Sequence, residues 1–139
     1  MITQTLCTVF KTNLLKGLEN FNTGSPYVYK IALYTDIAEL DASTTQYSIL
    51  GETSGTGYIA GGKTLTPTVP TSSGTTALTS FGNVTWDPAG FSVKGALIYN
   101  ATTNAAVAVL NFGETITTST VFTITFPTAD ATNAIIRIL

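Results

Sequence analysis

A chain of 139 residues with 6 Lys and Arg, 8 Asp and Glu and a formal net charge of −2 presents no basic surface to neutralise phosphates, which argues against nucleic acid and anionic membranes as partners. Its length suits one domain, residues 1–139, with room for a sizeable core. The absence of histidine removes the usual general base, the commonest transition-metal ligand and any Ser-His or Cys-His dyad.

Serine and threonine fill about a quarter of the sequence, and threonine, being β-branched, suits the solvent face of a strand. Cys7 is the single cysteine. It excludes an internal disulfide and is read as a small buried hydrophobe. Residues 1–5 show no basic n-region before an apolar core, and no apolar run reaches bilayer length, so synthesis in a cytoplasm is the expectation.

In chain order, Leu6, Phe10, Leu14 and Leu18 recur every fourth position with Val9 beside them, the pattern of one short amphipathic N-terminal helix, assigned to residues 1–21, with Gly17 near its end. The turn Asn22-Thr23-Gly24-Ser25-Pro26 leads into residues 27–34, dense in aromatic and branched side chains and read as a strand. Residues 36–41 are read as a helical turn. Residues 51–74 are rich in Gly, Thr, Ser and Pro, with little to bury. That composition reads as an extended arm or loop, with one strand around residues 64–68.

Further strands are expected at residues 78–86, 95–100, 105–112, 121–126 and 134–139. In the fourth of these Phe122, Ile124 and Phe126 alternate with Thr123 and Thr125. Short strands at even spacing predict a mainly β fold, a single antiparallel β-sandwich of jelly-roll or Ig-like type, with Trp86 in its core. No repeat, linker or second domain interrupts it.

Gly57 to Thr64, GYIAGGKT, matches G-x-x-x-x-G-K-[ST] letter for letter. A phosphate-cradling loop of that form needs a helix starting at its Lys and a buried strand before it. Here Pro67 and Pro70 forbid the helix, a polar turn at residues 51–56 replaces the strand, and no apolar run ends in an Asp to hold Mg²⁺. The stretch is therefore read as a glycine-rich connection, and no cofactor is expected. Asp36, Glu39 and Asp41 could form a Ca²⁺ site or an acid–base pair, but without EF-hand spacing the simpler reading is a helix cap at Asp36 and solvated neighbours. No catalytic residue and no metal ligand is assigned. The triplets starting at Asn83 and Asn100 match glycosylation acceptors by chance in so threonine-rich a chain. Tyr27, Tyr29, Tyr34, Tyr47, Tyr58 and Tyr99 could line a sugar-binding groove or anchor protein contacts; scarce surface charge favours the second.

Four stretches taken together resemble a family of small virion proteins of tailed bacteriophages. They are Lys30-Ile31-Ala32-Leu33-Tyr34-Thr35, Gly55-Thr56-Gly57-Tyr58 with Ala60-Gly61-Gly62-Lys63, Gly95-Ala96-Leu97-Ile98-Tyr99-Asn100, and Phe126-Pro127 with the run from Asn133 to Ile138. They keep the same order from about Lys30 to the end. The resemblance implies a non-enzymatic virion component in which the glycine loop is structural. A capsid decoration or cement subunit is the leading expectation, with the major capsid protein or tail proteins and copies of itself as partners. The alternative is a tail-fibre or collar component that binds a host surface glycan or protein. Tyr58, Lys63, Leu65, Pro67, Val69 and Pro70 are the expected assembly contacts.

Overall fold

In the computed structural model, which describes Met1–Leu139, the chain forms one helix and ten strands. They are β1 (Thr5–Leu6), α1 (Thr8–Leu15), β2 (Tyr29–Tyr34), β3 (Lys63–Thr64), β4 (Thr71–Ser73), β5 (Thr76–Thr79), β6 (Val84–Trp86), β7 (Phe91–Asn100), β8 (Ala105–Thr118), β9 (Phe122–Ile124) and β10 (Ile136–Ile138). The fold is mainly β and its strand pairs are antiparallel, as the sequence patterns indicate. Hydrogen bonding divides the strands among three sheets, however: β1-β8-β7-β2-β3, β10-β5-β4 and the pair β6-β9. No helix is long and apolar enough to cross a membrane.

The frame is the long hairpin of β7 and β8. Asn100 closes it: its side-chain Oδ1 accepts the backbone N–H groups of Thr102 and Thr103 at 3.0 and 3.3 Å, and Asn104 takes a left-handed φ of 67°, the turn chemistry in which Asn excels. Because Asn100 is fully buried, its acceptor triplet is closed to modification. The register shifts between Val93 and Gly95, where β8 runs from Ile116 to Asn111, so residues 112–115 of β8 face Lys94 alone on β7. β2 lies between β7 and β3. Ile31, Ala32 and Leu33 are all completely buried there, which explains why its sequence reads as a continuous apolar run.

Helix α1 is shorter than the expected 1–21. β1 pairs with β8 first, and Gly17 at φ 73° ends the helix after one stretch of eight residues. The Leu18 N–H reaches the Asn13 carbonyl at 2.9 Å and the Gly17 N–H that of Leu14 at 3.2 Å, the paired closure that a left-handed residue permits. Residues 36–41 do not form a helical turn. Ala38 N–H closes a single turn on Thr35, and Leu40 then bridges to Ile2 in extended form, because burying Ala38 and Leu40 outweighs one local turn.

The expected strand 78–86 is broken into β5 and β6, which belong to different sheets. Thr68 causes the break. Its N–H donates to the Ser80 carbonyl at 2.8 Å, its hydroxyl accepts Ser80 N–H at 2.9 Å, and its carbonyl accepts the Thr79 hydroxyl at 2.7 Å. This clamp carries the chain from one sheet to the next and drives Phe81 inward. Trp86 is 1% exposed, packed among Phe91, Phe122 and Tyr58 with ring centroids 5.9 to 6.4 Å apart. Phe122, Ile124 and Phe126 are buried and Thr123 and Thr125 exposed, as their alternation requires.

Candidate functional site

The glycine loop folds around a carboxylate of its own chain. Glu52 Oε1 accepts the Tyr58 hydroxyl and, at 2.8 Å, the Gly61 N–H, while Oε2 accepts the Tyr47 hydroxyl. Tyr58 Oη in turn accepts the Leu33 N–H at 2.9 Å, and Tyr99 donates to the Gly61 carbonyl at 2.6 Å. The loop thus presents its amide to an internal anion. Its glycines serve close packing: a Cβ on Gly62 would lie 1.7 Å from the Ile31 carbonyl oxygen, and one on Gly57 1.8 Å from that of Pro88. Lys63 and Thr64 start no helix; they form β3 against Ile31 and Lys30. The Lys63 ammonium donates to the Thr85 carbonyl at 2.6 Å and lies 5.7 Å above the Trp86 ring, a cation–π position that occupies its charge.

Most of the tyrosines are committed to this interior. Tyr47 and Tyr99 stack with centroids 4.8 Å apart, and Tyr34 donates to the Ser48 carbonyl at 2.7 Å. Burial raises the phenols of Tyr34, Tyr47 and Tyr58 above the ordinary value, with Glu52 adding to each, and pushes Tyr99 up to about 12. Tyr29 donates instead to Glu19, at 3.0 Å. Tyr27 is half-buried. These hydroxyls organise loops and do not converge on an outer groove.

Of the residues expected to make assembly contacts, Leu65 lies in the core at 4% exposure, its N–H bonded to the Tyr29 carbonyl at 2.8 Å; it faces this chain's own interior. Tyr58 is half-buried in the loop just described. Pro67 is half-buried and bridges to Phe81. Lys63, Val69 and Pro70 are exposed. Residues 51–65 are therefore built into the body through Thr53, Leu65 and β3, whereas Thr71–Ser73 forms the outer strand of the hairpin β4–β5, exposed throughout.

The acidic grouping disperses. Glu39 pairs with the N-terminal ammonium at 2.7 Å, both groups well exposed, and Asp41 Oδ1 accepts the N–H and hydroxyl of Ser43. Those bonds hold the Asp41 carboxyl below its usual range. Asp36 caps nothing helical, and no group of three His, Cys, Asp or Glu side chains could hold a metal. Cys7 is fully buried; burial, with Asp41 second, pushes its thiol up to about 11, which disfavours the nucleophilic thiolate.

One polar side chain passed unnoticed in the sequence. Glu19 is 7% exposed, beyond the end of α1, and its Oε1 accepts Asn100 Nδ2 at 2.8 Å and the Tyr29 hydroxyl. Its Oε2 is buried without a partner. Burial raises its carboxyl, against the lowering effect of the Asn100 and Tyr29 bonds. Glu19 also lines an open cleft of about 230 Å³ together with Leu14, Phe21, Pro70, Leu78 and Ile136. No sequence signal marks it, because its anchor Asn100 is 81 residues away.

The surface carries several large aliphatic side chains in water: Leu15 at the end of α1, Leu139 after β10, Ile37, Ile49 and Leu50 in the loops after β2, and Ile59 in the glycine loop. No family model, curated protein or solved structure matches this chain.

Proposed function

We propose that the protein is a non-enzymatic structural subunit of a tailed-phage particle, a capsid decoration or cement protein that acts through protein–protein contacts. The observation that carries the reading is the exposed aliphatic set, with Leu50 and Ile59 each at 79% exposure, on a chain of which only 10% is charged. Such a surface is poorly protected against association, a property suited to a subunit whose work is assembly. The ordered resemblance to small virion proteins supports the same class. On this reading the five-stranded sheet is one layer of a sandwich and the β6–β9 and β10-β5-β4 sheets supply the facing layer, with Trp86, Phe91 and Phe122 between them. The exposed residues 69–73 and the exposed Leu50 and Ile59 are, on the same reading, contacts toward the major capsid protein or sibling copies, in the virion.

A map of gradient-purified particles of the encoding phage, with proteomics for the copy number, tests this directly. Many copies over the head support decoration, and a few at the tail or collar support the tail-associated alternative. Absence from particles refutes both. Within a positive result, Leu50→Asp with Ile59→Asp should leave folding stability within about 0.5 kcal/mol, as exposed substitutions do, while lowering the number of subunits per particle.

A further inference from the structure

The cleft beside Glu19 joins an apolar lining to a buried carboxyl group. The walls are apolar: Leu14 from α1, Phe21 from the following loop, Leu78 from β5 and Ile136 from β10. Glu19 also lines the cleft, only 7% exposed, with Oε1 taken by Asn100 and Tyr29 and Oε2 left without any partner. A buried carboxylate oxygen without a donor is costly, and both groups that touch Glu19 are neutral. The protein supplies no counter-ion.

We propose that this cleft binds a primary alkylammonium, its charged head donating to Glu19 Oε2 and its aliphatic stem lying against Leu14, Phe21 and Ile136. A cation satisfies the site better than a neutral donor, because it brings the missing charge and makes a charge-assisted hydrogen bond in a place where water screens it little. Space agrees: at about 30 Å³ per water, a cleft of about 230 Å³ equals about eight waters, enough for a head group and a short stem. Oε2 is itself covered, so the head reaches it as the Glu19 side chain turns toward the cleft that it lines. The same chemistry is carried by a free amine and by a lysine side chain of a partner polypeptide. The inference stands on the cleft alone and not on the assembly role.

The test titrates the full chain with n-pentylammonium chloride, with n-pentanol, and with lysine blocked at both backbone ends, at matched ionic strength. The Asn100 side-chain amide and the Leu14 and Ile136 methyl resonances report occupancy. Saturable shifts with the ammonium probes, at least about tenfold stronger than with pentanol, are expected. Tighter binding of blocked lysine assigns the site to a polypeptide partner, and tighter binding of pentylammonium to a free amine; either supports the chemistry. Glu19→Gln should abolish the preference over pentanol. Ala77→Trp, at an exposed position on the cleft wall, should block all three probes without touching Glu19, and decides the matter if Glu19→Gln fails to fold. No saturable shift with either ammonium, a preference that survives Glu19→Gln, or undiminished binding to Ala77→Trp would overturn the proposal.

Discussion

Glu52 and Glu19 invite comparison, since each draws in a tyrosine hydroxyl and each ties a loop to the central sheet. Glu52 is half-buried and fully partnered: three donors, two phenols and one backbone N–H, reach its two oxygens. Glu19 is more deeply buried and less satisfied, with two donors on one oxygen and none on the other. The ordinary expectation runs the other way, because the cost of an unmet hydrogen bond grows as water is excluded. The difference assigns the two sites different work. Glu52 completes an internal network that shapes residues 52–61, and Glu19 leaves one oxygen unpartnered while lining a cleft.

The comparison breaks first at Glu52. Glu52→Ala removes the acceptor of three donors at once, and although solvent can reach some of them, the loss should be about 2–4 kcal/mol. Chemical denaturation measures it, and amide exchange should accelerate at Gly61 more than in β7 or β8. A loss below about 0.5 kcal/mol would mean that the network merely decorates a loop held by other contacts. Tyr58→Phe is a milder probe, expected at about 1–3 kcal/mol, since it strips a donor from Glu52 and an acceptor from the Leu33 N–H together.

At Glu19 the sign depends on pH. Its carboxyl is raised above 4.5 in the folded chain, so the native state holds its proton longer than the unfolded state does. That contribution to stability is fully present below the unfolded value and is lost as pH rises through the folded one. Asp41 and Asp130 are lowered by their hydrogen bonds and contribute the opposite slope, at lower pH. Glu19→Gln cannot ionise, so its stability relative to the parent should rise as pH climbs above 4.5, by about 1.4 kcal/mol for each tenfold gain in proton affinity that folding gives the parent carboxyl. Parallel pH profiles for the two proteins would show that Glu19 titrates as it does in the unfolded chain.

What could be read from the sequence was local. Phe122, Ile124 and Phe126 announce their strand through alternation, Gly17 marks the end of α1, and Trp86 follows the apolar pattern of its strand, because period and turn chemistry act over a few neighbours. The Thr68 clamp that splits residues 78–86 across two sheets joins positions 12 apart, and the Asn100–Glu19 bond joins positions 81 apart; neither leaves a periodic trace. Residues 51–65 misled by composition. They have few apolar side chains, yet they are ordered by hydrogen bonds from Thr53, Tyr58 and Gly61 and by one buried leucine, Leu65. The phosphate-loop match at residues 57–64 is one of letters alone, and Pro67 and Pro70 already argue against the helix it needs.

That match supplies the smallest expected effect. A nucleotide at 100 times its Kd would add about 2.7 kcal/mol to stability, a change that thermal melting resolves easily. For this chain, ATP or GTP with Mg²⁺ at millimolar concentration should leave the melting temperature unchanged. The reason is the network itself: Glu52 sits on the Gly61 N–H, so an incoming phosphate would meet a carboxylate where it needs a donor. Lys63 cannot compensate while its ammonium is held on the Thr85 carbonyl above Trp86, and β3 supplies no helix dipole. Glu52→Gln sharpens the point by removing the repelling charge with little change of shape. If the glycines were a phosphate cradle merely occupied by Glu52, the glutamine variant would gain a saturable nucleotide-dependent rise in melting temperature that Lys63→Ala abolishes. If they serve packing against Ile31 and Pro88, the variant should stay as indifferent to nucleotide as its parent.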